Sequence, residues 1–363
     1  MTDTPASSDR FEPTRRVRLG RTGVQVTQMA IGTVPLSGLF DESSREDALA
    51  VLETAWESGI RTFDLAPLYG YGFAERVAGE FLRRQPRESY TLSTKVGRLI
   101  EVDGPPERED RTVLYEGQPR FQGTGDERPW FDFTYDGVMR SLEASRERTG
   151  IERFDILHIH DPEDFMEEAV EGAYRALDEL RRSGEVGAVG VGANVCETHA
   201  RLIRRIDIDA ILLAGRYTLL DQEALAELLP LCEERGVAVI AAGVYNSGIL
   251  SHPDPGSIHG VSRDAADMRS WKDSVTFDYA PAEAEIVERA GRIKAVCDEH
   301  GVPLAAAAVQ FPLHHPAVAC VLIGPREPEH VSANNELLRM PLPDALWADL
   351  RSEGLLDPEA PTP

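Results

Sequence analysis

Four side chains with proton-handling chemistry stand at or just beyond the ends of apolar runs. Arg61-Thr-Phe-Asp64 ends in a carboxylate, and Tyr69 follows five residues on, within Leu65-Ala-Pro-Leu-Tyr-Gly70. Tyr90-Thr-Leu-Ser-Thr-Lys95 ends in an ammonium. Phe154-Asp-Ile-Leu-His-Ile-His160 ends in an imidazole, directly before Asp161 and Pro162. A free phenol titrates near pH ~10 and is a poor acid or base at neutral pH. A neighbouring ammonium stabilises the phenolate, each unit of lowering corresponding to about 1.4 kcal/mol. An aspartate would hold that lysine in place, and a histidine could donate to a substrate oxygen. Asp64, Tyr69, Lys95 and His160 together describe a proton-transfer site with an oxygen-binding pocket.

Taken one at a time, Asp64 could cap a turn and Tyr69 could pack a loop. Lys95 is harder to set aside. Of 38 basic residues only three are lysines (Lys95, Lys272 and Lys294). A compact ammonium is therefore an exception in this chain, and it stands at a strand end, where arginine would not substitute for it. His158 and His160 share a strand face; His158 is read as lining the core and His160 as the chemical group.

Positioning these groups requires strands that all end at one face. Apolar runs at about 29–32, 61–64, 90–95, 154–160, 186–192, 210–214, 238–242 and 318–323 alternate with helical periodicity at 45–58, 169–183, 221–235 and 282–300. The runs are nearly continuous in apolar residues, as in a parallel sheet covered by helices. Eight such units predict a (β/α)8 barrel, with its site at the C-terminal ends of the strands. A β-hairpin built on Val17–Val26 precedes them. Long segments at 101–133 and 251–280 leave the third and seventh strands as loops at that same face. Trp130 and Phe131, in the first of them, are candidate substrate contacts. Residues 1–15 are expected to be a loose polar segment, 16–355 a single barrel domain and 356–363 a C-terminal tail.

From about residue 16 to 355 the chain resembles the aldo-keto reductases. The resemblance rests on Arg18-Leu-Gly-Arg-Thr-Gly23, Phe63-Asp-Leu-Ala-Pro-Leu-Tyr-Gly70, Ser93-Thr-Lys-Val-Gly97, Leu157-His-Ile-His-Asp-Pro162 and Val191-Gly-Ala-Asn194. Asp132-Phe-Thr-Tyr-Asp-Gly137, Val244-Tyr-Asn-Ser-Gly-Ile-Leu250 and Phe311-Pro-Leu-His-His-Pro316 resemble the branch of D-threo-aldose (L-fucose-type) 1-dehydrogenases and pyridoxal dehydrogenases. The resemblance implies Tyr69 as acid/base, Lys95 and Asp64 as its tuning pair, and His160 orienting the substrate oxygen. It implies NADP or NAD as cofactor, with a lean to NADP, bound without a Rossmann fingerprint. Gly32 and Thr33 would belong to the cofactor site, and Asn194 would bind the nicotinamide carboxamide. Tyr245, Ser247 and Gly248 would lie along the pyrophosphate, and Gly324, Arg326, His330 and Asn334 at the adenosine phosphate. Two positions depart from the pattern: Ala193 replaces a common serine, and Ala242 an aromatic residue. The implied reaction is oxidation of an aldose at C1 to its lactone, with carbonyl or pyridoxal reduction or oxidation as the alternative.

The chain's 363 residues, 42% of them hydrophobic, suffice for one large core. With 62 acidic against 38 basic residues the net charge is −24, which repels phosphate backbones and anionic lipid. Neither nucleic acid nor membrane is therefore an expected partner, and the resemblance implies a small sugar or carbonyl compound instead. Met1-Thr-Asp-Thr-Pro-Ala lacks the basic and apolar regions of a secretory signal, so a cytoplasmic location is expected. The four cysteines (Cys196, Cys232, Cys297 and Cys320) are too dispersed for a disulfide framework or zinc cage. Two readings compete. His158-x-His160 could serve a metal-dependent barrel hydrolase, although the other strand ends offer few ligands and no metal is expected. A non-catalytic NADP-binding relative is the other, and the complete set of four argues against it.

Overall fold

The computed structural model describes residues 11–255 and 276–363. Eight parallel strands close into a barrel: β1 (Met29–Gly32), β2 (Thr62–Asp64), β3 (Thr91–Val96), β4 (Ile156–His160), β5 (Ala188–Ala193), β6 (Ala210–Ala214), β7 (Ala238–Ala242) and β8 (Val318–Ile323). Strand β8 pairs with β1, completing the ring in register Leu322 to Ala30. Outside it lie α1 (Arg45–Glu57), α2 (Phe73–Leu82), α3 (Tyr135–Thr149), α4 (Tyr174–Ser183), α5 (Cys196–Arg205), α6 (Leu228–Arg235), α7 (Ala284–Glu299), α8 (Leu304–Gln310), α9 (Pro328–Arg339) and α10 (Asp344–Ser352). Two of the helices start at side-chain caps. Ser44 Oγ accepts from Asp47 N at 3.0 Å at the start of α1, and Thr134 Oγ1 from Gly137 N at 3.0 Å at the start of α3. None of the helices among the described residues is long and apolar enough to cross a membrane.

Strand alternation divides the core in two. Val189, Val191, Ile211, Leu213, Val239, Val321 and Ile323 face outward and pack against the helices. Ala30, Ile156, Ala188, Ala210, Leu212, Ala238, Ile240, Cys320 and Leu322 fill the barrel, and Leu19 and Val26 of the hairpin (Arg16–Arg18 with Gln25–Thr27) plug its lower end. The filling is apolar on the β5–β8 side and polar on the β2–β4 side, where Asp64, Ser93, Lys95, His158 and His160 are all buried. Gly190 is needed at this boundary: a Cβ there would lie 2.2 Å from Ala210 O and 2.8 Å from His158 Nδ1.

The structure corrects several expectations. The segment 101–133 is not a plain loop: Arg98–Glu101 pairs with Arg128–Phe131 and Leu114–Tyr115 with Gln118–Pro119, both antiparallel. Of 251–280, residues 256–275 lie outside the described residues; Thr276–Phe277 pairs with Ala280–Pro281. The helix expected over 169–183 opens with a π-helical turn at Ala169–Ala173 before α4. The stretch 356–363 is not a free tail, because Leu356 and Ala360 are buried and Arg351 donates to Ala360 O at 2.9 Å. Residues 11–15 are likewise tied down, Glu12 N donating to Gln28 Oε1 at 2.9 Å, while 1–10 lie outside the described residues.

Helices α2 and α3 cross at unusually short range. A Cβ on Gly79 would lie 2.1 Å from Thr149 O, and beside it the fully buried Glu75 accepts from Thr94 Oγ1 (2.9 Å) and Arg148 Nε (2.6 Å). Helix propensity alone favours Gly79→Ala by about 1 kcal/mol. The backbone contact outweighs it, and the variant should unfold at lower urea, destabilised by about 1–3 kcal/mol. A midpoint equal to or above that of the parent chain would show that the helices separate freely.

Candidate active site

The centre of the polar half is an ion pair. Lys95 Nζ donates to Asp64 Oδ2 at 2.6 Å and to Leu65 O at 2.9 Å, and Ser93 Oγ donates to Asp64 Oδ1 at 2.5 Å. Register explains the meeting: Asp64 lies opposite Ser93, so Lys95, two residues on, points into the same interior space above it. Thr33 completes the support, its hydroxyl donating to Asp64 O at 2.9 Å. Lys95 and Asp64 side chains are 1% and 5% exposed, so neither is solvated.

Tyr69 sits on a tight turn between β2 and α2. Gly70 (φ 60°), Tyr71 (φ 50°) and Gly72 (φ 83°) are all left-handed, and a Cβ on Gly70 would strike Ser37 O at 2.5 Å. The turn lowers Tyr69 into an apolar cluster with Leu39, Phe40, Leu68, Val113 and Phe121, the last two supplied by the excursion after β3. Lys95 Nζ lies 4.7 Å from the centroid of the Tyr69 ring, and the His160 ring stands edge-on to it at 6.0 Å. The structure thus brings Asp64, Tyr69, Lys95 and His160 together at the C-terminal end of the barrel.

Their electrostatics differ from the simple expectation that Lys95 lowers the phenol pKa. Burial pushes the Tyr69 pKa well above its ordinary value, Asp64, Tyr279 and Asp161 push the same way, and Arg98 opposes them. The Lys95 ammonium is committed to Asp64 and Leu65 O and faces the ring rather than standing free. His160 is held neutral, its pKa pulled well below the usual range by burial and then by Arg98 and Lys95. His158, in register with Lys95, is pulled down to about 3 by burial and the Lys95 charge, as a core-lining imidazole should be. Among the described residues no three His, Cys, Asp or Glu side chains gather where they could hold a metal ion.

Sequence reasoning missed the network beside His160. Arg98 is 1% exposed; it donates to Asp110 Oδ2 (2.6 Å), His160 O (3.1 Å) and Asp161 Oδ2 (3.0 Å), and its guanidinium lies 4.6 Å from the Phe131 ring centroid. Asp161 adopts φ 46° and places Oδ2 3.5 Å from His160 Nε2. Tyr279, half-buried, arrives from the far side of the mouth, its N–H bonded to Ser247 Oγ at 3.1 Å. The signal available was Arg98 itself, an arginine three residues past Lys95 where the barrel opens. Trp130 turns inward to the excursion: it is 8% exposed, its Nε1 donates to Glu101 O at 3.1 Å, and it leaves no room for a Cβ on Gly104. Phe131 stacks on Phe133 and lies tilted against Phe165. The excursion brings Val113 and Phe121, not these two, to Tyr69.

The cofactor candidates line the opposite, apolar half of the mouth. Asn194 follows β5 with a half-buried side chain, and Ala242 ends β7 as a small floor. Tyr245 donates to Asn334 Oδ1, whose Nδ2 donates to His330 O at 2.7 Å, so these residues tie the turn after β7 to α9. Asn246 and Ser247 are left-handed, Gly248 has open space around a Cβ position, and the buried Asn246 Oδ1 has no partner. Gly324 lets Pro35 approach, since a Cβ would meet it at 2.7 Å. Arg326 and His330 stand together before and within the first turn of α9, Arg326 N bonded to His330 Nδ1 at 3.3 Å. Thr33 is spent on Asp64, and Gly32 packs against Leu322. An unpartnered amide oxygen in a turn of left-handed residues, small side chains along the floor, and a cation at a helix start fit a dinucleotide.

The comparisons agree with this geometry. The model of the Aldo/keto reductase family matches residues 28–353. Pyridoxal 4-dehydrogenase of Microbacterium luteolum is 43% identical over 353 residues, covering 93% of this chain and 97% of that one. D-threo-aldose 1-dehydrogenase of a Pseudomonas species is 37% identical over 342 residues, covering 94% and 97%. A glycerol dehydrogenase structure from Gluconobacter oxydans shares the fold with a TM-score of 0.71 at 20% identity, covering 96% and 97%. With the catalytic-type set assembled at the mouth of a closed eight-stranded barrel, the chain is an oxidoreductase that belongs to the aldo/keto reductase family.

Proposed function

We propose that the protein oxidises the hemiacetal carbon of an aldose, C1 of a sugar of L-fucose or D-arabinose type, to the lactone with NADP or NAD. The observation that carries the reading is the buried Lys95–Asp64 pair beneath Tyr69, with neutral His160 edge-on to the phenol. The similarity to D-threo-aldose 1-dehydrogenase over nearly the whole chain supports the substrate class. Pyridoxal is the second reading, favoured by the similarity to pyridoxal 4-dehydrogenase. It too closes on its own hydroxymethyl group as a cyclic hemiacetal, so both readings share one reaction type.

A bound nicotinamide dinucleotide would supply the hydride acceptor or donor. Asn194, the turn 245–248, and Gly324, Arg326 and His330 would hold it. In oxidation the hydroxyl at the reacting carbon gives its proton to the Tyr69 phenolate; in reduction the phenol gives it back. His160 is neutral, and with its proton on Nε2 it would donate to the reacting oxygen. Lys95 holds positive charge against the ring, and Asp64 with Leu65 O fixes the ammonium there. Arg326 and His330 favour a 2′-phosphate, hence NADP.

Screening aldoses and pyridoxal for reduced-cofactor formation, with NAD and NADP in parallel, tests the reading; no turnover of any hemiacetal would overturn it. Tyr69→Phe keeps the ring and removes the proton carrier, so kcat should fall about 10²–10⁴-fold, while cofactor binding followed by fluorescence persists. Because the Tyr69 pKa is raised, the phenol is the resting form at neutral pH. Oxidation should therefore accelerate with rising pH into the alkaline range, and carbonyl reduction should show the opposite slope; a flat profile with chemistry rate-limiting would contradict Tyr69 as the group titrating. Arg326→Ala should raise the KM for NADP about tenfold or more and leave that for NAD nearly unaltered, the loss expected of one charge-assisted contact.

A further inference from the structure

One charged group at the mouth has no task in the chemistry above. Asp161 follows His160 directly, with Oδ2 3.0 Å from Arg98 Nη2 and 3.5 Å from His160 Nε2. Arg98 does not need it for neutrality. Asp110, with a fully buried side chain, already pairs with the guanidinium at 2.6 Å, and His160 O takes a second N–H. A third of the Asp161 side chain (32%) remains exposed, although the backbone around it is closed, its N–H donating to Gly192 O at 3.0 Å. Its φ of 46° is left-handed, a conformation that costs a residue with a Cβ and that turns this side chain from the strand direction toward the opening. Among the described residues Oδ1 accepts no hydrogen bond. The carboxylate is thus gripped on one edge by a rigid, buried fork and left open on the other.

We propose that Asp161 anchors the substrate by accepting a hydrogen bond from a hydroxyl on the carbon next to the reacting one, with Arg98 as the residue that positions it. The inference rests on the reading of His160 as the group that meets the reacting oxygen. Donor imidazole and acceptor carboxylate then stand side by side, as the oxygens on adjacent carbons of a polyol do. A substrate with that hydroxyl satisfies the carboxylate. One without it leaves a partly desolvated charge unpaired, and sites built this way reject the analogue lacking the donor. Asp110 gives the arrangement its rigidity, because it comes from the excursion after β3 and ties that segment to the strand bearing His160. A bulky apolar aldehyde would gain from the Val113 and Phe121 wall but nothing from Asp161.

The test compares reduction of D-glyceraldehyde with that of propanal, an aldehyde of equal length lacking the hydroxyls, at saturating reduced cofactor. Asp161→Asn keeps an acceptor for Arg98 and removes the charge; Asp161→Gly removes the side chain and suits the left-handed backbone. Thermal midpoints confirm that each variant is folded. The ratio of kcat/KM for glyceraldehyde to that for propanal should fall about 10–100-fold in both variants, chiefly through the KM for glyceraldehyde. Proportional losses on both aldehydes, leaving the ratio within about twofold, would show that Asp161 acts only by holding His160 and would overturn the proposal. A parent enzyme that turns over neither these aldehydes nor any hemiacetal would instead overturn the reading of the Tyr69 site, and this inference with it.

Discussion

An ammonium and a carboxylate enclosed in a barrel interior are the constraint to which the rest of the site answers. Desolvating both ions costs several kcal/mol each, and removing either alone would cost about 3–5 kcal/mol by stranding the other. The pair is tolerated here because its remaining hydrogen-bonding capacity is met: Ser93 Oγ on the second oxygen of Asp64, Leu65 O on the ammonium, Thr33 on the backbone behind. Those partners come from β1, β2 and β3, so three strands must keep register for the pair to exist. The apolar filling from β5 to β8 serves the same end, since it leaves the polar groups only one side of the barrel to occupy.

From that pair the other properties follow. Asp64 and Leu65 O hold Lys95 Nζ 4.7 Å from the centroid of the Tyr69 ring, while burial and the Asp64 charge keep the phenol protonated at rest. The same ammonium helps to keep His158 and His160 neutral, which leaves His160 a hydrogen-bond donor rather than a second cation. Neutral His160 can then stand beside the Arg98 guanidinium, whose own charge is absorbed by Asp110 and Asp161. Asp110 and Asp161 thus flank the guanidinium from two sides.

Much of this was legible in the sequence because barrel geometry converts strand ends into neighbours. Asp64, Lys95 and His160 end their apolar runs, and the β-strand period alone aims them inward, so types and positions sufficed. Strand limits held to within about two residues because the runs are bounded by polar residues and glycine. Arg98 was not legible for the opposite reason. Its partners lie 12 and more than 60 residues away, and Arg98 and Asp110 themselves belong to a segment whose strands are two to four residues long and carry no periodic signal. Trp130 misled because aromatic residues in a long loop suit a substrate lid and the core of an excursion equally well, and only packing separates the two. The raised Tyr69 pKa was hidden as well: residue types give the sign of a charge, whereas burial and direction decide which effect on the phenol wins.

Backbone conformation draws the same line between the two faces of the barrel. Left-handed turns after α1, α3, α4, α6 and α7 use Gly59, Gly150, Gly184, Gly236 and Gly301, residues that adopt positive φ without steric cost. Among the described residues, every left-handed residue that bears a side chain lies on a segment leaving the other face: Phe40, Tyr71, Glu116, Asp161, Asn246, Ser247, Asp278 and Tyr279. Such conformations cost up to about 1–3 kcal/mol each and persist only where surrounding contacts overdetermine them. Here those contacts are visible: the Asp278 carboxylate gripped by Arg216, the Asn246 amide donating to Gly215 O, the Asp161 carboxylate in the Arg98 fork. Where only chain reversal is required, the sequence uses glycine. Where a side chain must be turned toward the opening, it accepts strain and binds the residue in place. The distribution of strain therefore marks the working face independently of any catalytic residue, and it includes Asp161.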